Sequence, residues 1–367
     1  MKIRAAISRS GEAAPVIEEA ELGPPRSDEI LVRIVAAGIC HTDVRAHRGG
    51  AVPTPHPVVL GHEGAGVVEA AGSGVMHLKA GDHVVLSGSS CGTCPSCREN
   101  YPSYCREVIP RSFGGSRMDG SSALSQGGAP LHGHFFGQSS FATYAIADAR
   151  GAVRVSKERP LEIAAPLGCG VLTGAGAVLY TFGLKAGQSL VVFGSGSVGL
   201  SAIMAARLAG AQQVIAVDPL PQRRALALEL GATAALDAAS ENLVDAIRAV
   251  LPGGADFALN TTIVPQVYEA SLRVLGMRGV AAFVSAPREP FTTSLQTLLH
   301  GGRSLRGLIG GDAAPQVAIP MLLYFWQQGR FPMDRLITSF EFSAIGAAFE
   351  ALHHARVIKP VLRMGAP

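Results

Sequence analysis

The stretch LVVFGSGSVG, Leu190 to Gly199, decides the fold of this chain. Its apolar residues Leu190 to Phe193 predict a short buried strand, and the uncharged run Val198 to Ala206 predicts a helix directly after a glycine-rich turn. The glycines have the G-x-G-x-x-G spacing of a dinucleotide-binding loop, and the N-terminus of the helix offers unpaired N–H groups to phosphates. The predicted cofactor-binding residues of this turn are Gly194, Gly196, Ser197, Val198 and Gly199.

A second predicted strand, Gln213 to Val217, ends at Asp218, which lies 24 residues after Gly194. A carboxylate at this place is positioned for a ribose 2′-hydroxyl, and its charge repels a 2′-phosphate, so the sequence favours NAD over NADP. Arg223 and Arg224 follow closely, and their positive charges weaken that preference. The alternative is a glycine-rich turn in an α/β protein that binds no ligand.

The rest of the chain indicates the fold class. Between residues 213 and 284, predicted strands alternate with predicted helices such as Pro221 to Leu230, which is typical of a doubly wound parallel sheet. The N-terminal part predicts strands at Lys2 to Ile7 and Glu29 to Val35, whereas residues 110 to 133 predict a surface loop. Because 367 residues favour two domains, we expect an α/β protein with a β-rich domain and a Rossmann domain.

The balance of charges argues against a polyanionic partner. The chain has 31 basic and 28 acidic residues, a formal net charge of +3, so we expect no nucleic-acid partner. The N-terminus lacks the apolar core of a signal peptide. The uncharged stretch Ile163 to Leu184 approaches transmembrane length, but Pro166 and five glycines within it predict a buried helix after a loop. We therefore expect no membrane partner and a soluble, cytoplasmic protein.

Four cysteines between residues 88 and 108 form the strongest metal signal. Their spacing is C-x2-C-x2-C-x7-C, and four thiolates satisfy a tetrahedral zinc ion completely. A site without an open position is structural, and it would stabilise a segment that has little apolar content. The alternatives are two disulfides or free thiols, which a cytosolic compartment disfavours. The predicted ligands are Cys91, Cys94, Cys97 and Cys105.

Three further segments carry side chains that bind metals or protons. GICHTD at 38 to 43 combines a cysteine, a hydroxyl and an acid, GHEGAG at 61 to 66 places a histidine and a glutamate among glycines, and LGCG at 167 to 170 adds a cysteine. Taken alone, Cys40 is more simply explained as a small buried hydrophobe, and a histidine beside a glutamate is ordinary. The glycines favour a site, because they let the backbone approach closely.

The order and spacing of these segments resemble those of the zinc-dependent medium-chain alcohol dehydrogenases over essentially the whole chain. The resemblance is carried by GICHTD, GHEGAGVV, the four-cysteine segment, GCG at 168 to 170 and GSGSVG at 194 to 199. HFFGQSSFATYA and LGCGVLTGAGAV are most similar to the branch that includes benzyl alcohol and geraniol dehydrogenases. The resemblance implies a GroES-like catalytic domain formed by residues 1–168 and 313–367, with a Rossmann NAD-binding domain, residues 169–312, between them.

The resemblance also implies a catalytic zinc ion held by Cys40, His62 and Cys169, with water or substrate as the fourth ligand; alcohol dehydrogenase is itself the standard example of such a site. Glu63 matches an acid that approaches the metal when ligands exchange, and Asp43 matches the acid that orients the histidine. The chain would thus hold two zinc ions, one catalytic and one structural.

Other positions match residues of the family that contact the cofactor or the substrate. The matches to nicotinamide-side contacts are Thr173, Ser285 and Ala286, the last two through their backbone. The matches to phosphate-side or ribose-side contacts are His41, Arg223 and Lys359. The aromatic residues Phe135 and Phe136 line an apolar pocket or pack in the core.

The implied reaction begins with the loss of a proton from the alcohol, which zinc promotes as a Lewis acid. Thr42 matches the hydroxyl that takes this proton, and hydride passes to the nicotinamide. Many family members have a histidine three residues after this threonine, but this chain has Arg45, which stays protonated and is a poor base. Two routes for the proton remain, through water or through His47.

Three functions compete at this point. The first is reversible, NAD-dependent oxidation of primary aromatic, allylic or terpenoid alcohols to aldehydes, which the phenylalanine-rich segment and Arg45 favour. The second is a formaldehyde/glutathione-type or short aliphatic alcohol dehydrogenase. The third is a non-catalytic dinucleotide-binding protein, which the complete set of zinc ligands disfavours. The resemblance also implies a homo-oligomer, a dimer or tetramer, and Gly279 to Val284 is the candidate strand for subunit pairing.

Overall fold

The computed structural model describes residues 1–49, 54–287 and 289–365. The chain divides into two units. The first unit contains Met1–Cys169, Ala314–Leu323 and Met333–Pro367, and the second contains Gly170–Ala313 and Tyr324–Pro332. Residues 324–332, expected in the catalytic domain, therefore group with the second unit.

Strands form sheets in both units. In chain order, the strands of the described residues are β1 Lys2–Ser8, β2 Val16–Leu22, β3 Glu29–Gly38, β4 Val58–Val59, β5 Gly64–Ala71, β6 His83–Leu86, β7 Leu124–Gln126, β8 Ala129–Leu131, β9 Tyr144–Asp148, β10 Ala152–Val155, β11 Ser189–Phe193, β12 Gln213–Val217, β13 Ala234–Leu236, β14 Ala255–Asn260, β15 Leu275–Phe283, β16 Ser304–Gly307, β17 Ile337–Glu341 and β18 Lys359–Arg363.

The helices are mostly short in the first unit and longer in the second. In chain order they are α1 His41–His47, α2 Pro95–Arg98, α3 Val108–Phe113, α4 Leu161–Ala164, α5 Gly170–Gly176, α6 Ser197–Ala209, α7 Pro221–Leu230, α8 Leu243–Val250, α9 Pro265–Arg273, α10 Leu295–Leu299, α11 Pro315–Gln327 and α12 Ile345–His353.

The second unit is built on a parallel sheet with the strand order β13-β12-β11-β14-β15-β16. Every residue of β11 is buried, as expected for a strand that helices cover on both faces. The order places β11 beside β14, so the register pairs Phe193 with both Val217 and Asn260 at the carboxyl ends of their strands. This reversal of strand order is where such sheets bind ligands. The predicted doubly wound sheet is confirmed.

The first unit contains two mainly antiparallel sheets. One has the order β4-β1-β2-β7-β8, and the other runs β10-β6-β5-β3-β18-β17, with β9 also paired to β3. The pairing of β3 with β5 sets Ala37 opposite Gly64, and that of β3 with β18 sets Gly38 opposite Val361. The end of β3 thus has segments from distant parts of the chain on both sides.

One local expectation was wrong. Residues 110 to 133 include the end of α3 and a hairpin of β7 and β8, whose two turn residues Gly127 and Gly128 both have positive φ, 57° and 79°. A Gly-Gly pair between strands favours such a tight hairpin, so the signal was present in the sequence. Within the described residues no single helix is long and apolar enough to span a membrane, while one bent pair, 161–168 with 170–181, meets the same test.

Candidate active site

Four side chains capable of binding a metal converge in the first unit. Each of Cys40, His62, Glu63 and Cys169 offers one ligand atom, and these atoms all lie within 4.8 Å of one another. Cys40 immediately precedes α1, and His62 and Glu63 immediately precede β5, which pairs with β3. The antiparallel pairing of β3 and β5 therefore brings the two segments together, and the chain returns to them at Cys169.

Asp43 fixes the orientation of His62. Its carboxylate, wholly buried in the first turn of α1, accepts hydrogen bonds from Cys40 N at 2.9 Å, Gly61 N at 3.1 Å and His62 Nδ1 at 2.9 Å. Because Nδ1 donates to Asp43, the lone pair of the neutral ring is at Nε2, and this buried nitrogen has no hydrogen-bond partner. An orphaned imidazole nitrogen beside two sulfurs is the donor set of a zinc site with an open position.

The charges at this cluster also suit a cation. A hydrogen bond from the Cys169 thiol lowers the pKa of Cys40 well below its usual range, and the same bond raises the pKa of Cys169. Burial disfavours a charged imidazole, yet the Asp43 carboxylate raises the pKa of His62. The cluster therefore holds protons where a metal ion would bind, and zinc would displace them. The residues present fit a zinc ion.

Glu63 makes a buried ion pair with Lys359. The carboxylate is fully buried and the Lys359 side chain is 3% exposed. Lys359 Nζ donates to both carboxylate oxygens at 2.9 Å and to Ile39 O at 3.2 Å. A Cβ atom at Gly38 would overlap Glu63 Oε2, so a glycine at the end of β3 makes room for the carboxylate. The structure thus places Lys359 beside Glu63, and its predicted contact with a cofactor stays a prediction.

Helix α1 carries the predicted proton acceptor. The hydroxyl of Thr42 lies 3.7 Å from Cys40 Sγ, and the neighbouring His41 has an exposed side chain. Arg45 is also exposed, whereas His47 is 2% exposed.

Both ring nitrogens of His47, the last residue of α1, have hydrogen-bond partners. Nδ1 lies 2.6 Å from the hydroxyl of Ser8, and Nε2 donates to the carbonyl of Glu12 at 2.9 Å. Burial lowers the pKa of His47, which favours its neutral form. The hydrogen bonds of His47 go to Ser8 and Glu12 and not to Thr42, which favours the route through water over a route through His47.

An aromatic cluster packs on His62. The Phe136 ring stacks on the imidazole at a centroid distance of 4.6 Å, and Phe135 meets it edge-on at 5.7 Å. Phe135 is fully buried and so belongs to the core, while Phe136 is half-buried. Phe113, at the end of α3, meets Phe136 at 5.1 Å and was missed because the sequence predicted a loop there.

The loop that carries these rings is strained and tied to the site. His134, Phe136 and Ser139 have φ of 56°, 52° and 54°, a region that side chains rarely adopt. The amide of Gln138, 1% exposed, donates to His62 O at 3.0 Å and accepts from Gly64 N at 3.0 Å. Gln138 thus fixes the backbone on both sides of Glu63, and nothing in its sequence surroundings indicated this role.

The four clustered cysteines form a second group whose sulfurs lie within 4.8 Å of one another. Cys94 Sγ is 3.5 Å and Cys91 Sγ is 3.9 Å from Cys97 Sγ. Backbone N–H groups of Thr93 and Cys94 donate to Cys91 Sγ, and these bonds lower the pKa of Cys91 to about 5. A thiolate stabilised in this way is ready to bind zinc. Cys105, the fourth member, is buried.

The glycine-rich turn of the second unit has the geometry that its spacing predicts. Gly194 has φ of 92° and donates to Val217 O at 2.8 Å, which closes the turn onto β12. A Cβ at Gly199 would overlap Gly194 O, so α6 can pack this closely only with glycine. A Cβ at Gly196 would meet nothing within 4 Å, and the buried hydroxyl of Ser197 has no hydrogen-bond partner. Val198, half-buried, is in the first turn of α6.

Asp218 follows β12 with its carboxylate held by two amides. Ser195 N donates at 2.7 Å and Leu220 N at 2.9 Å, and the side chain is 2% exposed. The guanidinium of Arg224 donates to the carbonyl oxygen of Asp218, so it contacts the backbone of the turn that follows β12. Arg223 is half-buried, and its Nε has no partner.

The remaining predicted cofactor residues also lie in the second unit. Thr173 is a nearly buried residue of α5, and Ala286 is exposed just after β15. The carbonyl of Ser285 accepts a hydrogen bond from the Tyr268 hydroxyl at 2.8 Å. Thr261, which sequence reasoning missed, donates from its hydroxyl to Phe193 O and Gly194 O at the glycine turn.

Comparison with known proteins agrees with this geometry. The family profile of the alcohol dehydrogenase GroES-like domain matches residues 26–157, and that of the zinc-binding dehydrogenases matches residues 197–323. The chain is 46% identical to a geraniol dehydrogenase of Castellaniella defragrans over 98% of its own length and 97% of that protein.

Solved structures extend the comparison to the whole fold. The crystal structure of benzyl alcohol dehydrogenase from Acinetobacter calcoaceticus has a TM-score of 0.96 and 38% identity, and covers 100% of both chains. An alcohol dehydrogenase zinc-binding domain protein from Burkholderia ambifaria has a TM-score of 0.97 and 47% identity, again over 100% of both chains. From the two matched profiles, the converging ligands and these relatives, we conclude that the chain belongs to the zinc-dependent medium-chain alcohol dehydrogenases.

Proposed function

We propose that this alcohol dehydrogenase uses NAD to oxidise primary aromatic, allylic or terpenoid alcohols to aldehydes, and that it also catalyses the reverse reaction. The convergence of Cys40, His62 and Cys169 with the Thr42 hydroxyl beside them carries this proposal. The aromatic cluster on His62 supports an unsaturated or aromatic substrate, since it provides apolar and π surface next to the metal ligands. The names of the geraniol and benzyl alcohol dehydrogenases point to the same substrate class.

The roles of the chain's own residues follow from their contacts. When bound, zinc supplies a Lewis acid that favours loss of the alcohol proton. Thr42 accepts that proton, because its hydroxyl lies beside Cys40, and Asp43 keeps His62 Nε2 directed at the ligand sulfurs. With both nitrogens of His47 occupied, we infer that water carries the proton from Thr42 to solvent.

We propose NAD as the cofactor, which supplies the acceptor for the hydride. The open space at Gly196 admits a pyrophosphate, and the N-terminus of α6 directs its N–H groups there. The fixed carboxylate of Asp218 supports NAD over NADP, because it accepts from a ribose hydroxyl and repels a phosphate. We propose contacts to the cofactor for His41, Thr173, Gly194, Ser197, Val198, Gly199, Arg223, Ser285, Ala286 and Lys359.

The four-cysteine segment supports a second, structural zinc ion, which makes two per chain. Its small helix α2 has no buried residue, so apolar packing contributes little to holding this segment. Metal ligation is then the main source of its stability.

We further propose that the protein is a homo-oligomer, a dimer or tetramer, in the cytoplasm. The strand favoured from the sequence, Gly279 to Val284, does not suit this role, because β15 pairs on both sides with β14 and β16. The edge strands of this sheet are β13 and β16, and all four residues of β16 are exposed. An unpaired edge strand is a template for pairing with another chain.

The test is the appearance of NADH with benzyl alcohol, geraniol and ethanol as substrates of the zinc-loaded protein. We expect kcat/KM for benzyl alcohol and geraniol to exceed that for ethanol, and Thr42→Ala to lose activity that Thr42→Ser retains. A preference for ethanol, or for formaldehyde with glutathione, would contradict the proposal and favour a formaldehyde/glutathione-type or short aliphatic alcohol dehydrogenase.

A further inference from the structure

The hydrogen bonds of His56 are ones that a neutral imidazole cannot make. This half-buried residue lies just before β4, with Nδ1 3.1 Å from Ser8 O and Nε2 3.2 Å from Ala46 O. Backbone carbonyls only accept hydrogen bonds, and a neutral imidazole carries a single N–H. In the neutral form one ring nitrogen would therefore direct its lone pair at a carbonyl oxygen. Both contacts are hydrogen bonds only when the ring is an imidazolium.

The neighbouring His47 takes the opposite form. Its Nε2 lies 2.9 Å from Glu12 O, which only accepts, so this nitrogen carries the hydrogen. Its Nδ1 then accepts from the Ser8 hydroxyl at 2.6 Å. Burial lowers the pKa of His47, and the charge of His56 adds to this lowering. The fully buried Ser8 thus serves both rings, since its carbonyl accepts from His56 and its hydroxyl donates to His47.

The two carbonyls bound by His56 belong to different elements. Ser8 is the last residue of β1, and Ala46 is the last but one of α1. The final carbonyls of a helix have no partner within it, and a cationic side chain that donates to them stabilises the helix end. A hydrogen bond from a charged donor is also about twice as strong as one between neutral groups. His56 therefore joins the C-terminal end of α1 to the end of β1.

These two hydrogen bonds depend on the proton that makes the ring an imidazolium. Among the described residues His56 has no carboxylate partner, so the carbonyls alone hold its charge. Loss of the proton turns one hydrogen bond into a contact between two lone pairs. The charged and titratable groups of the adjoining segments are Arg9, Glu12, Arg45, His47, Arg48 and His132.

Helix α1 carries two groups of the active site at its other end. Cys40 precedes the helix and Thr42 lies in its first turn. The helix has seven residues and is therefore about 10 Å long, so a shift of one end displaces the other. Contacts that fix the C-terminal end also fix the position of the Thr42 hydroxyl.

We propose that His56 is a positioning residue, which as an imidazolium fixes α1 on β1 and thereby holds Cys40 and Thr42 in place for the reaction. The last step of this inference rests on the proposed function. When the ring loses its proton at alkaline pH, the helix becomes less firmly held and the rate of alcohol oxidation falls with it.

The first measurement is the protonation of the histidine rings by NMR, on zinc-loaded protein labelled with ¹⁵N in its histidines. The signals of His56 are assigned by their absence from the His56→Gln variant. At neutral pH we expect hydrogen on both ring nitrogens of His56 and on Nε2 alone of His47. This measurement needs neither a substrate nor a stable variant of every kind, because wild-type protein supplies the answer.

The second measurement follows amide hydrogen exchange of the α1 segment together with kcat/KM for benzyl alcohol. His56→Gln keeps one donor atom without a charge, so exchange in α1 should be faster and kcat/KM lower by about tenfold, the equivalent of one hydrogen bond to a charged group. The ratio of kcat/KM between wild type and His56→Gln should decrease as the pH is raised, because the wild type then loses its second N–H. A purely structural residue would give a ratio that does not follow the pH.

Two further variants make the result specific. His56→Arg keeps a charge and several N–H donors at every pH, so it should retain slow exchange in α1 under alkaline conditions. His77→Gln is the matched control, because His77 Nε2 also lies 3.1 Å from a backbone carbonyl, that of Ala149, in another segment. It should leave the exchange of α1 and kcat/KM unchanged.

The proposal is overturned if His56 is neutral in wild-type protein at neutral pH. It is equally overturned if His56→Gln leaves exchange in α1 or kcat/KM unchanged, or if the ratio of kcat/KM stays constant with pH. Failure of the proposed function is distinguishable, because wild-type protein would then form no NADH with any of the alcohols, while the ring protonation and the exchange rates would still be as expected.

Discussion

Replacing Asp43 with asparagine should weaken the catalytic metal site without removing the structural one. The carboxylate accepts from Cys40 N, Gly61 N and His62 Nδ1. An amide has one oxygen for these three donors, so its NH2 group must face either an N–H of the backbone or the imidazole. One buried donor left unpaired costs about 1–3 kcal/mol of stability. Loss of the partner that orients a ligating histidine typically costs about 10- to 100-fold in metal affinity.

The assay is a zinc titration against a competing chelator, followed by metal analysis. Wild-type protein should hold two zinc ions per chain, and Asp43→Asn should lose one of them at a chelator concentration about 10- to 100-fold lower. Asp82→Asn is the matched control, because Asp82 is also a buried carboxylate that accepts from a backbone amide, Lys79 N at 3.0 Å, yet adjoins no metal ligand. Equal zinc retention by both variants would refute the assigned role of Asp43.

Three further predictions test other parts of the structure. Gly199→Ala should lower both the thermal stability and the affinity for NADH, because its Cβ overlaps a backbone oxygen. Gly196→Ala should leave Tm unchanged and weaken only the binding of NADH. A melting curve measures the effect on stability, and a fluorescence titration measures the effect on NADH binding. Burial, and to a lesser extent the charge of Arg117, lower the pKa of His134 from 6.5 to about 4. The unfolded chain therefore binds a proton that the folded chain does not, and the free energy of unfolding falls as the pH drops below 6.5, by roughly 2.5 kcal/mol at a pH of about 4.5. Urea unfolding of His134→Asn, in which asparagine tolerates the positive φ, should show a flatter pH dependence. Cys94→Ser should hold one zinc ion instead of two and melt at a lower temperature, and a chain that keeps both ions would contradict the structural site.

Features set by short stretches of chain could be predicted from the sequence. The strand, turn and helix around Gly194 follow from glycine spacing and apolar pattern, because each is formed by neighbouring residues. The four cysteines are also local, within 15 residues of chain from Cys91 to Cys105. In both cases the sequence itself brings the functional atoms together, so spacing carries the information.

The catalytic cluster is different, because its residues come from distant segments. Composition and spacing alone do not say that Cys169 meets Cys40, and that expectation came from resemblance to a family. Lys359 lies 296 residues from Glu63 and reaches it only through the pairing of β18 with β3. A lysine in an apolar strand gave a weak signal, but its partner depends on sheet order, which the sequence does not encode locally.

Unusual backbone conformations were the second reason why parts of the site could not be predicted from the sequence. The role of Gln138 depends on positive φ at neighbouring residues that are not glycine, such as Phe136. Such strained residues persist only because surrounding contacts hold them, so local propensity predicts them poorly. The sequence also did not predict the edge strand β16, because its residues are exposed and do not have the pattern of a buried strand.

We propose that the metal ligands of the first unit and the dinucleotide site of the second serve one hydride transfer. The most direct measurement uses benzyl alcohol with both hydrogens of its reacting carbon replaced by deuterium, with NAD and zinc-loaded protein, and locates the label by NMR. We expect one deuterium on the nicotinamide ring of each NADH formed and one on the aldehyde. Deuterium released to water, or NADH formed equally well after the zinc ligand Cys169 is replaced by serine, would contradict it.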